Sequence, residues 1–408
     1  MNIREIFVNI YGDAPNEPAR CFHAPGRVNI IGEHIDYNGG NVLPCGLDLG
    51  TYALIRRRRG NVARFASTNF GTTAHIPLDN VVYDAARGWA NYPAGIVRQM
   101  QQAGRPPGGF DVLFSGDIPI GTGLSSSASI ELVMAVALNS LFSLGYSMLE
   151  LVKLAQKSEN EFCGVNCGIM DQFASGMSKK DNAILLNCTT LDFSYVPLAL
   201  GSLRLVVLDT KKSRSLAGSK YNERRRECGE AFAILSRAGG IPNLASLGIE
   251  DFLANEGLIK DEIIKKRAKH VIYENHRVAL AVRALAAHDF AELGRLMHQS
   301  HVSLAEDYEV SCPELDTIVH QSLKTNGCIG ARMTGAGFGG CAIALVEENC
   351  LEDFIHSLDA AYTKAIGRAP GIYTPKSGDG AREVTQQILQ FKGGDMSTDA
   401  KAGFVLLQ

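Results

Sequence analysis

Arg27, Asn29, Glu33, His34 and Asp36 crowd into ten positions of the segment GRVNIIGEHIDYNGG (residues 26–40), interleaved with apolar residues and bracketed by glycines. Such a set both donates and accepts hydrogen bonds at short range, which is what a ligand rich in hydroxyls, such as a sugar, demands. A site that bonds each hydroxyl can reject an analogue lacking one by ~10⁴-fold or more. A salt-bridged surface hairpin has the same composition, and both readings fit at this level. A second polar run, Ser158 to Ser175, carries Glu159 and Asp171. Asp171 lies among Ile169, Met170 and Phe173, so partial burial is expected, and a buried carboxylate needs a partner. Arg27 is the candidate. A carboxylate held this way can accept a hydroxyl proton during phosphoryl transfer, and Glu159, at a helix end, can hold Mg²⁺. Taken alone, either acid serves equally as a cap or a surface charge.

A glycine–serine loop, Gly116 to Ser129, would supply what the acids lack. It follows a short buried strand (Phe110 to Phe114) and precedes a helical apolar pattern from Ile130 to Leu141. Gly121 and Gly123 let backbone approach a ligand, and the helix start offers unpaired N–H groups and the positive end of the macrodipole. A serine-capped turn is the plainer reading. A dinucleotide site would need a strand after the helix, whereas a second helical segment follows (Ser147 to Glu159). A Walker loop would need Gly-Lys-Ser/Thr, and no lysine is present. What survives is a phosphate cradle that needs a metal ion and a cation from elsewhere. A third motif, RMTGAGFGGC (residues 332–341), matches G-x-G-x-x-G but leads into a β run. It therefore reads as a glycine-dense bend whose backbone presses on a ligand or another loop.

The elements that must position these groups alternate in type. Residues 20–80 read as β-rich, with strands at Arg20–Ala24, Val28–Ile31, Gly46–Ile55 and Val62–Phe65. Helix follows at Trp89–Gln102, strands at Ala183–Cys188 and Leu203–Leu208, and mostly helix from Ser215 to Leu304. Helix, strand, strand and helix close the pattern at Cys312–Thr325, Ile329–Met333, Cys341–Val346 and Leu351–Ile366. With 408 residues, two domains are expected. We divide the chain at 1–213, 214–390 and a tail, 391–408, that carries no assigned role. Net charge of −3 gives no pull toward nucleic acid or membrane. Arg56 to Arg59 reads as a solvated strand end. Ten scattered cysteines with no CxxC pair fit reduced thiols in the cytoplasm. The charged N-terminus resembles no signal peptide, and no run approaches 18 apolar residues.

Read together, the clusters resemble the galactokinases of the GHMP family of small-molecule kinases. GRVNIIGEHIDYNGG is similar to the galactokinase signature, PIGTGLSSSAS to the family's phosphate loop, and RMTGAGFGGC to its third motif. CGIMDQFAS, Ser219-Lys220-Tyr221-Asn222 and the closing Gly378–Arg382 also match, so the resemblance spans about residues 18–385. It implies an α/β (α+β) two-domain fold: a ribosomal-S5-like N-terminal half and a ferredoxin-like C-terminal half, with the site between them. By the same resemblance, Asp171 and Arg27 flank the sugar C1 hydroxyl, and Glu33, His34, Asp36, Gly168 and Tyr221 contact the sugar. Gly121, Gly123, Leu124, Ser125, Ser126 and Ser127 would hold the ATP phosphates, Trp89 would lie beside the adenine, and Ser127 and Glu159 near Mg²⁺. The implied partners are small molecules, galactose and ATP, acting on a monomer or weak homo-oligomer.

Two departures from the family pattern are visible. Ile35 stands where threonine is common, and Lys211-Lys212 replaces a segment that often carries asparagine. The resemblance leaves relatives acting on N-acetylgalactosamine or arabinose as alternatives. A non-catalytic galactose sensor is a further one, although sensors of that type lack two residues of the serine loop, and Ser125 to Ser129 is complete here.

Overall fold

The stretch expected as two strands broken at Gly26 is one continuous strand, Arg20–Asn29, in the computed structural model, which describes residues 3–119, 121–212 and 217–390. Glycine here makes a bulge instead of a stop: the pairing with Pro44–Arg57 shifts register between Pro25 and Arg27. A Cβ on Gly26 would lie 2.7 Å from the Leu124 carbonyl oxygen, so the glycine–serine loop can sit directly on the bulge. The Arg27 N–H donates to that same carbonyl at 3.1 Å. Six strands complete the first sheet, in the order Arg382–Glu383, Arg20–Asn29, Pro44–Arg57, Phe110–Gly116, Val62–Ser67, Ala74–Pro77. Only the pair Val62–Ser67 with Phe110–Gly116 is parallel.

Helix Ser126–Phe142 packs on the strands Arg20–Asn29 and Pro44–Arg57. It is apolar almost all round, as a helix covered on every side must be. Asn91–Gln102, Met148–Lys157 and Met170–Met177 are the helices that cover it. On the sheet's other face, Ile3 and Phe7 of the first helix pack with Cys21, Leu54 and Leu113. Part of the tetrabasic run is buried there instead of solvated. Asp111, 1% exposed, draws in Arg56 at 3.1 Å, and Arg56 also donates to the Tyr11 and Gly12 carbonyls.

A second, four-stranded antiparallel sheet runs Cys328–Thr334, Cys341–Glu347, Leu203–Asp209, Gly371–Tyr373, and helices Phe290–Glu306 and Pro313–Lys324 lie against its first strand. This is the ferredoxin-like half, and the six-stranded sheet with its helices is the other. A small third sheet, Asn41–Val42, Asn182–Asn187 and Phe193–Pro197, flanks them. The boundary drawn at 213/214 and the tail 391–408 lie outside the described residues. Hydrogen bonding nonetheless shows that a linear cut there separates Leu203–Asp209 from its own sheet, while Arg382–Glu383 returns to the first. Hydrophobic patterning identifies strands but carries no record of their partners.

The two halves meet over residues 29–34. Glu274, on the long helix Glu262–Ala286, is fully buried and accepts from the Gly32 and Glu33 N–H groups at 2.9 and 3.3 Å. Ser300 Oγ at 2.6 Å and Arg277 Nε at 2.6 Å complete its shell. Burial pushes this carboxyl up, but Arg277, His270 and Arg332 outweigh it and hold it near about 2. Its charge therefore stabilises the fold above the unfolded-state value near ~4.3, and that contribution is lost as pH falls through 2. Glu274→Gln should lower stability by about 3 kcal/mol at pH 7, and the gap to the parent should narrow below pH ~4. Urea denaturation across pH measures both, and a gap independent of pH would contradict the account.

Candidate active site

Arg27 leaves the bulge of the first strand with its side chain 3% exposed. A guanidinium so placed must be paired, and its partner is Asp171, in the first turn of helix Met170–Met177. Asp171 Oδ1 lies 2.9 Å from Arg27 Nε and 2.7 Å from Nη2, and Nη1 donates to the Gly123 carbonyl at 2.8 Å. Burial opposes the arginine's charge, but Asp171 and Glu33 more than offset it and raise its pKa above the ordinary value. One side chain thus ties the first strand, the acid and the glycine–serine loop together.

That loop turns left-handed at Gly121, Gly123 and Ser125 before helix Ser126–Phe142 begins. Ser125 occupies the cap position without capping the helix, and its hydroxyl is buried with no protein partner. An orphaned hydroxyl beside unpaired helix N–H groups fits an anionic oxygen. Ser129 is different: its hydroxyl is spent on Ala24 O and Thr51 Oγ1, both at 2.8 Å. Leu124 is not among the cleft-lining residues: its carbonyl accepts from the Arg27 N–H and its side chain is buried in the core.

Glu159 sits opposite, in a π-helical turn (Ser158–Phe162) directly after helix Met148–Lys157, where a helix end was expected. The turn re-aims Glu159 inward, to 6% exposure. Its carboxylate faces the Ser127 hydroxyl and accepts from Gln172 Nε2 at 2.6 Å. Burial first, and Asp171 second, push it up to about 7. Behind it lies a residue that sequence reasoning missed, Glu131, wholly buried and raised well above the carboxylate range by burial and by Glu159. Its only signal was an acid in the apolar run IELVMAVAL.

The sugar-signature residues line the other wall. Glu33 Oε1 is consumed by the third motif: Gly335 N–H donates at 2.7 Å, Thr334 Oγ1 lies at 2.9 Å, and Arg332 Nη1 at 3.4 Å. The glycine-dense bend therefore presses on another loop. Its backbone is left-handed at Gly335, Gly337, Phe338, Gly339 and Gly340. His34, itself left-handed, packs against the Tyr221 ring, 5.5 Å between centroids. Asp36 faces the N–H groups of Tyr37 and Met170, and burial together with Asp171 pushes it up to about 6. A Cβ on Gly168 would overlap the Asp36 carboxylate, so any side chain there displaces Asp36 from this position.

These groups converge on one cleft of about 460 Å³, in the size range of small-ligand sites. Arg27, Asp171, Glu33, His34, Asp36, Gly168, Tyr221, Gly121, Gly123, Ser125, Ser126, Ser127 and Glu159 line it, and so do Tyr92 and Asn222, which sequence reasoning did not single out. Trp89 does not. Its ring stacks on Phe70 at 6.0 Å and bonds Thr72 Oγ1 through Nε1, outside the cleft lining.

Comparison with known proteins agrees with this arrangement. The models for the GHMP kinase N-terminal and C-terminal domains match residues 91–179 and 281–364, and the galactokinase galactose-binding signature matches residues 5–57. Galactokinase of Clostridium tetani is 48% identical over 388 residues, covering 94% of this chain and 98% of that protein. Galactokinase of Bacillus subtilis is 48% identical, with 94% and 98% covered. The crystal structure of Lactococcus lactis galactokinase complexed with galactose superposes with a TM-score of 0.90 at 42% identity, over 93% of this chain and 98% of that one. Methanococcus jannaschii mevalonate kinase, at 20% identity and a TM-score of 0.63, shares the fold. With signature, cleft and full-length likeness in agreement, the chain belongs to the galactokinase family of GHMP kinases.

Proposed function

We propose that this protein transfers the γ-phosphoryl group of ATP to the C1 hydroxyl of α-D-galactose, giving α-D-galactose 1-phosphate and ADP. The observation that carries the reading is the Arg27–Asp171 pair facing the glycine–serine helix start inside one cleft. Both guanidinium bonds land on Asp171 Oδ1, so Oδ2 is the oxygen disposed to take the hydroxyl proton. Arg27 orients the carboxylate and stabilises negative charge developing on the sugar oxygen. Glu33, held rigid through one oxygen, has the other for a sugar hydroxyl, with Asp36 beside it and Tyr221 and the His34 ring shaping the pocket. Gly121, Gly123 and Ser125 to Ser127 cradle the ATP phosphates, and Trp89 marks the edge toward which the adenine would extend.

The oxygen donors Ser127 and Glu159 suit Mg²⁺, which when bound offsets charge on the transferring phosphoryl group. The assembly we propose is a monomer or weak homo-oligomer. The division into residues 1–213 and 214–390 is kept as a working one. All ten cysteines are free thiols, which supports a cytoplasmic place.

Asp171→Asn keeps the shape and removes the base, so kcat should fall by about 10²–10⁴-fold while calorimetric binding of galactose and ATP persists. Turnover near the parent's would contradict the assignment. Gly168→Ala displaces Asp36 and should raise the KM for galactose about tenfold or more while the KM for ATP changes little. ADP release with Mg²⁺, ATP and a panel of galactose, N-acetylgalactosamine, arabinose and glucose tests the substrate itself, and galactose should give the highest kcat/KM.

A further inference from the structure

A chain of buried hydroxyls leads away from the sugar wall. His34 Nε2 lies 3.1 Å from the Ala336 carbonyl oxygen, and Nδ1 lies 2.7 Å from the Tyr37 hydroxyl. That hydroxyl is 2.9 Å from the Tyr308 hydroxyl, which is 3.0 Å from Cys228 Sγ. Tyr308 is fully buried and Cys228 is 1% exposed. Both come from the C-terminal half, Cys228 on helix Ala217–Gly239 and Tyr308 just after helix Phe290–Glu306.

The direction of every bond follows from one end. A carbonyl oxygen only accepts, so Nε2 carries the proton. Burial, with His270 close by, holds the imidazole down near about 3, so it is neutral at pH 7 and Nδ1 is a bare acceptor. Tyr37 must then donate to Nδ1, Tyr308 to Tyr37, and the Cys228 thiol to Tyr308. Both ring nitrogens are committed inside the protein, and His34 lines the cleft. The rings of Tyr308 and Tyr221 hold it in place, at centroid distances of 5.1 and 5.5 Å.

We propose that Tyr308, acting through Tyr37, is a positioning residue: the Ala336 carbonyl sets the Nε2–H tautomer of His34, and Tyr308 keeps the Tyr37 hydroxyl turned as donor to the bare Nδ1, which holds the ring in place on the hexose pocket wall. The proposal rests on the galactose reading for its kinetic consequence only. The tautomer is a property of the free protein, so the two can fail separately.

The test combines imidazole ¹⁵N NMR of histidine-labelled protein without sugar, His34 being assigned from a His34→Asn sample, with kinetics of Tyr308→Phe. The parent should show His34 neutral, protonated on Nε2 and bare on Nδ1. Tyr308→Phe takes away the donor to the Tyr37 oxygen and frees that hydroxyl to turn, so the Nε2–H tautomer should persist while the Nδ1 resonance moves toward that of a ring nitrogen no longer accepting a hydrogen bond. The KM for galactose should rise about fivefold, the size of one lost buried hydrogen bond, with kcat altered less than twofold. Cys228→Ser, which restores a hydroxyl donor at the end of the chain, should keep the parental spectrum and KM. A proton on Nδ1 in the parent overturns the proposal whether or not the variants fold. So does a Tyr308→Phe protein with the parental Nδ1 resonance and KM. Correct tautomers with no galactose phosphorylation would leave the relay standing and refute the substrate reading instead.

Discussion

A guanidinium buried to 3% exposure has to be neutralised where it stands, and the structure answers that demand with Asp171 and the Gly123 carbonyl. The pairing fixes three segments that are far apart in the chain: the bulged first strand, the glycine–serine loop and the short helix Met170–Met177. Removing Asp171 leaves the buried Arg27 charge without its carboxylate, so the geometry that serves chemistry also serves the fold. The same contact holds the acid on the cleft that the helix start, Ser125 to Ser127, also lines.

The second half of the molecule acts on this site mostly through backbone. Glu274 grips the N–H groups of Gly32 and Glu33, His270 reaches the Glu33 carbonyl at 3.1 Å, and Arg332 Nη1 bonds the Asn29 carbonyl at 2.9 Å. The sugar signature belongs to the first sheet by connectivity, yet its shape is dictated by the ferredoxin-like half. Rigid support of this kind keeps a polar pocket from relaxing around a wrong ligand.

The residues that touch the cleft were legible because their chemistry demands unusual local composition. Polar groups interleaved with glycine at residues 26–40, the serines after Gly121 and Gly123, and an acid inside Ile169–Phe173 are all rare in plain structural text. The supporting residues were not, since Glu274, His270 and Tyr308 sit in ordinary helical or loop sequence and acquire meaning only through long-range contacts. Gly26 shows a related limit. A glycine beside a proline reads as a break, and only the neighbouring loop's approach reveals why the strand bulges and continues. Trp89 shows the converse, a residue assigned by likeness whose ring packs on Phe70 outside the cleft lining. Strand order was silent in the sequence for the same reason: Leu203–Asp209 precedes residue 213 yet pairs with Cys341–Glu347 and Gly371–Tyr373.

A crystal structure with galactose, Mg²⁺ and a non-hydrolysable ATP analogue bound together examines the arrangement as a whole. The account requires the C1 hydroxyl oxygen at about 3 Å from an Asp171 carboxylate oxygen, in line with the γ-phosphorus above Ser125 to Ser127. A sugar turned so that another hydroxyl faces Asp171, or phosphates seated away from that helix start, would contradict it.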